Sequence, residues 1–301
     1  MGLVQAGHRV IWAVDNDQDA VETYRRNIGN HIVCGGIETV DISKIPDADV
    51  IVGGFPCQGF SQANMVRSPD DKRNSLYRYF LDFIQLKRPR YFIAENVRGI
   101  LSLGHGEVIR QIVADFSGLG YDVAYRLVNM ADYGVPQSRM RVIIEGTRSD
   151  LEASAQLKFP APTHSKDGSH GLSAWVTVRQ AIGCLPDPST RVADDPDQVG
   201  SAYKVEYRNF TGHRRTDPDK PCPTILARGN GKGGVCAIPH FNGRRRLTIR
   251  ESAIIQTFPV DFSFSGSMNS RYRQVGNAVP VVFAKLLGDE LTRVEVGSTA
   301  S

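Results

Sequence analysis

No apolar run in these 301 residues approaches the roughly 20 that a membrane-spanning helix needs, and the start of the chain carries no charged-then-apolar leader pattern. Cysteine is scarce and irregularly spaced: Cys34, Cys57, Cys184, Cys222 and Cys236 show none of the pairing rhythm of a disulfide scaffold. Together these absences predict a reducing, cytoplasmic setting. Cys-x-x-Cys pairs are missing too, so Cys222, Cys236, His213 and His240 lack the anchor of a structural zinc site, and no metal is expected. Net charge is modest, +4 at neutral pH, and by itself names no partner.

What is present is alternation. Apolar stretches at residues 9–14, 32–33, 50–52, 91–97, 121–128 and 142–146 read as strands. Between them Ala20, Val21 and Tyr24, then Leu76, Phe80, Phe83 and Ile84, then Val108, Ile109, Ile112 and Val113 recur at helical spacing. This order predicts an α/β fold up to about residue 150, with a mostly parallel sheet covered on both faces. Composition shifts at Phe159-Pro160-Ala161-Pro162. From there to about residue 245 Pro and Gly are frequent, and residues 204–250 hold eleven Lys and Arg against three Asp and Glu. Such an excess suits a polyanion partner or an ordinary solvated face. Thr248 and Glu251 form a capping-box pattern before Ala253, Ile254 and Ile255. A last helix should run from Pro280 to about residue 291, followed by a fraying tail over residues 294–301. Three units are expected: 1–150, 151–245 and 246–301.

The chemistry concentrates at strand ends. One strand runs into Gly53-Gly54-Phe55-Pro56-Cys57-Gln58, where two glycines permit a sharp bend and close approach to a ligand, and Pro56 fixes the chain before the thiol. A lone cysteine is more often a small buried apolar residue than a nucleophile. Here, however, Glu95 lies near the end of another strand, and Arg139 and Arg141 lead into a third. A thiol, a carboxylate and two guanidiniums beside strands make a covalent site. Asp15 closes the first strand, where an acid can bond a ribose diol or cap the next helix. Ser61 to Ser75 is polar and reads as a loop after the nucleophile. Gly229-Asn230-Gly231-Lys232-Gly233-Gly234 reads equally as a loop approaching the polyanion partner or a linker.

Pro56-Cys57-Gln58, Glu95-Asn96-Val97, Gln137-x-Arg139-x-Arg141 and Arg271-x-x-Gln274-Val275-Gly276-Asn277-Ala278-Val279-Pro280, in this order and spacing, resemble the motifs of the C5 cytosine DNA methyltransferase family. The resemblance covers most of residues 8–147 and 204–291. It implies a Rossmann-like S-adenosylmethionine-dependent methyltransferase sheet and a small, irregular target-recognition domain at 151–245, where Thr224-Ile225 matches a family doublet. The C-terminal segment is implied to fold back on the catalytic part. The implied reaction moves a methyl group from S-adenosylmethionine to carbon 5 of a cytosine flipped out of double-stranded DNA. Cys57 would be the nucleophile, Glu95 would hold the ring at N3 and the exocyclic amine, and Arg139 and Arg141 would hold base and acids. Asp15, Ile37, Pro56, Leu76 and Asn277 are implied around the cofactor. A restriction-modification or orphan role follows, with a cognate restriction endonuclease as a candidate partner.

The chain departs from that pattern in places. Gly36 stands where an acid usually contacts the adenine amino group, and cannot make that bond; Arg73-Asn74 replaces Arg-Gly. The family's opening strand and Gly-rich turn, which hold the methionine end of the cofactor, are missing, so the sheet is expected to lack a central strand. A start assigned too late, a missing N-terminal segment supplied by another polypeptide, and a degenerate remnant that binds DNA without catalysis are the alternatives, in that order. The family's tRNA-methylating branch carries Cys-Phe-Thr, which none of the five cysteines matches.

Overall fold

The computed structural model describes residues 1–55, 72–188, 195–200, 216–227 and 238–299, without the side chains of 72–75 and 295–299. Pro56, Cys57, the stretch predicted as a loop up to residue 71, and the glycine-rich 229–234 lie outside them. A short helix α1 (Gly2–Gln5) leads to β1 (Ala13–Asp15), α2 (Gln18–Asn27) and β2 (Ile32–Cys34). Then come β3 (Val50–Gly53), α3 (Lys72–Lys87), β4 (Tyr91–Val97), α4 (Glu107–Gly118), β5 (Tyr121–Asn129), β6 (Gln137–Ser138) and β7 (Met140–Arg148). The irregular stretch holds β8 (His164–Ser165), β9 (Ser173–Ala174), α5 (Val178–Ile182) and β10 (Cys222–Pro223). It is followed by α6 (Ile249–Ile255), α7 (Met268–Asn277) and α8 (Val281–Thr299).

The main sheet has the order β3, β4, β7, β5. β3 and β4 are parallel, but β7 runs antiparallel to both neighbours. The sheet is thus less parallel than the alternation suggested, because β5 returns through residues 130–139 without a crossover helix, and such a connection joins antiparallel strands. β1 and β2 pair in a sheet of their own, so the α/β architecture carries the discontinuity expected between β1 and β3. Other bonds hold that unit in place. Asn27 exchanges hydrogen bonds of 2.8 and 3.1 Å with the main chain of Ser263, and the Ser265 N–H donates to Thr23 Oγ1 at 2.8 Å. Trp12 lies 5.7 Å from the Phe83 ring of α3.

Helix α4 follows three residues at positive φ, Gly104, His105 and Gly106, and turns Val108, Ile109, Ile112 and Phe116 inward. These pack on Phe92, Ala94, Val142 and Ile144 of the sheet, each large side chain contributing about 1.5–3 kcal/mol. Phe92 lies 4.3 Å from Phe116, and Gly146 is bare because a Cβ there would enter the Phe92 ring. On the other face Tyr91, Ile93 and Ile143 meet Phe283, Leu287, Leu291 and Val294 of α8. The C-terminal helix continues to Thr299 instead of fraying from 294, because Val294 is fully buried in that cluster. A further cluster joins Val178, Ile182, Cys222 and Ile225 to Leu247, Ile249, Ala253, Tyr272 and Val275. The capping box of α6 forms as predicted, with Glu251 N–H donating to Thr248 Oγ1 at 3.0 Å and Thr248 N–H to Glu251 Oε2 at 2.8 Å. Among the described residues no helix is long and apolar enough to cross a membrane.

Candidate active site

β3 and β4 lie side by side, with Gly53 opposite Ala94. A Cβ at Gly54 would sit 3.9 Å from the Glu95 carboxylate, so the bare backbone borders the acid directly. Phe55 is buried against Tyr77 and Phe80, ring centroids 5.1 and 5.8 Å away. Its carbonyl accepts a hydrogen bond from Asn96 Nδ2 at 2.9 Å. The chain is thereby anchored beside Glu95 immediately before Pro56 and Cys57, which lie outside the described residues.

Arg141 enters from β7, opposite Val97. Its Nε lies 2.7 Å from Glu95 Oε1, with the two side chains 12% and 19% exposed. The approach is oblique to the N–H direction, so Oε1 makes no aligned hydrogen bond among the described residues and keeps capacity for another donor. Arg139 is placed differently. Its side chain is buried, and it donates from Nη1 to the Ile225 carbonyl and from Nη2 to the Gly276 carbonyl, both at 3.0 Å. Burial, then Arg141 beside it, lowers its pKa to about 9 against the pull of Glu95. The two arginines therefore divide their work: Arg141 faces the acid, and Arg139 ties main-chain segments together.

Asp15 and Asn277 are brought to one cavity of about 690 Å³, lined also by Asp17, Tyr24, Phe258, Arg273 and Gln274 among others. Asp15 stands at the carboxyl end of β1 and accepts from the Asp17 N–H at 2.8 Å through one oxygen. Burial alone would raise Asp17, but the Arg273 guanidinium 2.5 Å away holds its carboxyl below the usual range. A carboxylate, an amide and aromatic walls around this volume fit a nucleoside-sized ligand. Ile37 and Leu76 are half-buried and do not line this cavity among the described residues, although the turn carrying Ile37 packs against α3. At Gly36 the Glu38 carboxylate folds into the space that a side chain would take.

The basic stretch is only partly available to a polyanion. Arg250 makes two bonds to Asp195, at 2.6 and 2.9 Å, and Arg245 two to Glu251, at 2.8 and 2.7 Å. Arg246 is buried. These residues secure α6 to its surroundings, a use that charge counting cannot separate from a solvated face. Cys222 is fully buried in the apolar cluster, which pushes its thiol pKa up, and among the described residues no group of three metal-ligating side chains occurs.

Three contributors were not given roles by the sequence. Asn96 stands inside a quoted motif, but its bond to Phe55 depends on the β3–β4 pairing. Gln137 and Gln256 are both fully buried and bonded to each other at 2.9 Å; Gln137 also stands inside a quoted motif, and the signal for Gln256 was a glutamine interrupting the apolar run Ile254-Ile255-Gln256-Thr257-Phe258.

The family described as C-5 cytosine-specific DNA methylase matches residues 1–293. The chain is 38% identical over 303 residues to the type II methyltransferase M.NgoFVII of Neisseria gonorrhoeae, covering 93% of this chain and 79% of that protein. It is 36% identical over 305 residues to M.BsuRI of Bacillus subtilis, covering 93% and 67%. Among solved structures, the S. pombe Dnmt2 methyltransferase superposes with a TM-score of 0.67 at 20% identity, over 96% of this chain and 93% of that one. The Entamoeba histolytica methyltransferase EhMeth gives 0.65 at 16% identity, over 96% and 94%.

Proposed function

This chain belongs to the C-5 cytosine-specific DNA methylase family, and from that premise we propose how its own residues carry out methylation of cytosine in DNA. Carbon 5 of cytosine is a weak nucleophile, so a sulfur–carbon bond must first form at carbon 6. Cys57, two residues beyond the Phe55 anchor in the sequence, is the nucleophile. The observation that carries this reading is the seating of Gly54 and Phe55 against Glu95 and Asn96, which brings the chain to the acid just before the thiol.

Glu95 grips the ring at N3 and the exocyclic amine, sharing a proton as electron density builds toward carbon 5. Arg141, held on Glu95, steadies the acid and the developing charge. Arg139 is a positioning residue that keeps the strand of Arg141 fixed to the main chain of Ile225 and Gly276. Asp15 takes the ribose diol of the cofactor, and Asn277 lines the same cavity, which Ile37 and Leu76 do not reach. S-adenosylmethionine bound there supplies an electrophilic methyl group. Afterwards the carbon 5 proton is removed, the sulfur–carbon 6 bond breaks and Cys57 is regenerated.

The substrate is double-stranded DNA, from which the target base must be extruded because none of these groups can reach a stacked ring. Residues 1–150 act as the catalytic domain, 151–245 as the target-recognition domain and 246–301 as the C-terminal segment packing back on the catalytic domain. The names of the relatives support a modification role alongside a restriction endonuclease of the same specificity. The exposed free thiols Cys34 and Cys184 suit a cytoplasmic setting. The test is transfer of labelled methyl from S-adenosylmethionine to sheared bacterial DNA, which offers a wide range of short sequences: Cys57→Ala and Glu95→Gln should each abolish or nearly abolish it. Unchanged transfer by either would overturn the assignment.

A further inference from the structure

The segment Cys222–Ala227 is clamped between two parts of the molecule by side chains that the reaction itself does not use. On one side β10 pairs with β6, the Cys222 N–H donates to the Pro136 carbonyl at 2.9 Å and Thr224 Oγ1 donates to the Ser138 carbonyl at 2.8 Å. On the other side α7 comes so close that a Cβ on Gly276 would lie 2.6 Å from the main chain of Leu226 and Ala227.

Two buried amides run through the middle. Gln256 donates from Nε2 to the carbonyls of Val275 at 2.8 Å and Ala278 at 3.2 Å. With its N–H groups spent there, its oxygen must face Gln137, whose Nε2 donates to it at 2.9 Å. The Gln137 oxygen then accepts the Ile225 N–H at 2.9 Å. The direction of every bond is fixed by the one before it. Turning either amide over would set oxygen against oxygen or N–H against N–H, so the chain of bonds is made or lost as a whole.

Its ends touch the two regions that bind different ligands. Ala278 lines the cavity beside Asn277, with Val275 two residues before it, and Ile225 belongs to the proposed target-recognition domain. We propose that the Gln137–Gln256 pair couples the two sites, so that filling the cavity at Asn277 orders the Cys222–Ala227 segment for DNA, and DNA held there in turn tightens the cavity. Gln137 and Gln256 are positioning residues in this scheme. It rests on the assignment of the cavity to the cofactor.

The test is binding, independent of turnover, using the full chain, S-adenosylhomocysteine as an unreactive probe and sheared bacterial DNA. In the unaltered protein DNA should tighten the probe by about fivefold or more, a common size for such coupling, and the probe should slow hydrogen exchange at the Ile225 amide without DNA present. Gln256→Met and Gln137→Met should each bring the coupling factor close to one while the separate affinities change about twofold or less, and the double variant should lose no more than either single one. A purely structural role would weaken both affinities and leave their ratio intact, which would overturn the proposal. So would probe binding that leaves Ile225 exchange unaltered, a result obtained on the native chain even if a variant fails to fold. Absence of any probe binding would instead refute the cofactor assignment, and the coupling with it.

Discussion

Replacing Glu145 by Gln should stabilise the protein, and by more as pH rises. Glu145 sits on β7 only 3% exposed, and neither carboxylate oxygen has a hydrogen bond among the described residues. Burial pushes its pKa from 4.5 up to about 8, with Arg126 pulling it down and Glu290 adding to the rise. The folded protein therefore keeps a proton that the unfolded chain releases. Stability is complete below the unfolded value, declines by roughly 1.4 kcal/mol per pH unit between the two values, and levels off once both states are ionised. By pH 7 the accumulated loss is about 3 kcal/mol, a substantial part of an ordinary folding margin. A glutamine cannot ionise and escapes that loss. In urea unfolding at pH 5, 7 and 8.5, the advantage of Glu145→Gln should grow from under about 1 kcal/mol to several. An advantage independent of pH, or a variant weaker than the parent at pH 8.5, would refute the reasoning.

Other substitutions separate holding the fold from holding the site. Arg141→Lys keeps the charge but loses the planar fork beside Glu95, so kcat should fall about 10²–10³-fold with little change in the unfolding midpoint. Asn96→Ala leaves the Phe55 carbonyl without its donor; it should cost about 1–3 kcal/mol in denaturant unfolding and slow methyl transfer as well. Gly146→Ala would force a methyl group into the Phe92 ring and should cost about 1–3 kcal/mol, read as a lower melting temperature.

Much of this arrangement was legible from residue order. The apolar runs ending at Gly53 and Val97 fold as strands β3 and β4, and Thr248 with Glu251 caps α6 as its spacing required, because these features depend on neighbours within a few residues. The stretch from Arg9 to Val14 was less readable: only Ala13–Asp15 forms strand, since ladder bonds need a partner and the one available is the three-residue β2. Helix α7 over Met268–Asn277 was not anticipated, for its sequence is polar and its burial comes from Tyr272 and Val275 meeting α6 and α5. The site shows the same division. Glu95 and Arg141 could be named from their motifs and do pair. Arg139 carries the same motif, yet its partners are carbonyls 86 and 137 residues away, which no local pattern discloses. Likewise, the basic excess over residues 204–250 suited a polyanion partner or a solvated face, whereas Arg245 within it closes an internal ion pair with the helix-capping Glu251.

The most direct measurement is covalent capture. Duplex DNA containing 5-fluorocytosine, incubated with S-adenosylmethionine, allows the sulfur–carbon 6 bond to form but replaces the removable proton at carbon 5 with fluorine, so the enzyme cannot leave. The protein should become linked to DNA in a complex that survives denaturation, with the attached peptide containing Cys57, and Cys57→Ser should form none. A linkage mapped to another residue, or undiminished capture by Cys57→Ser, would contradict the account.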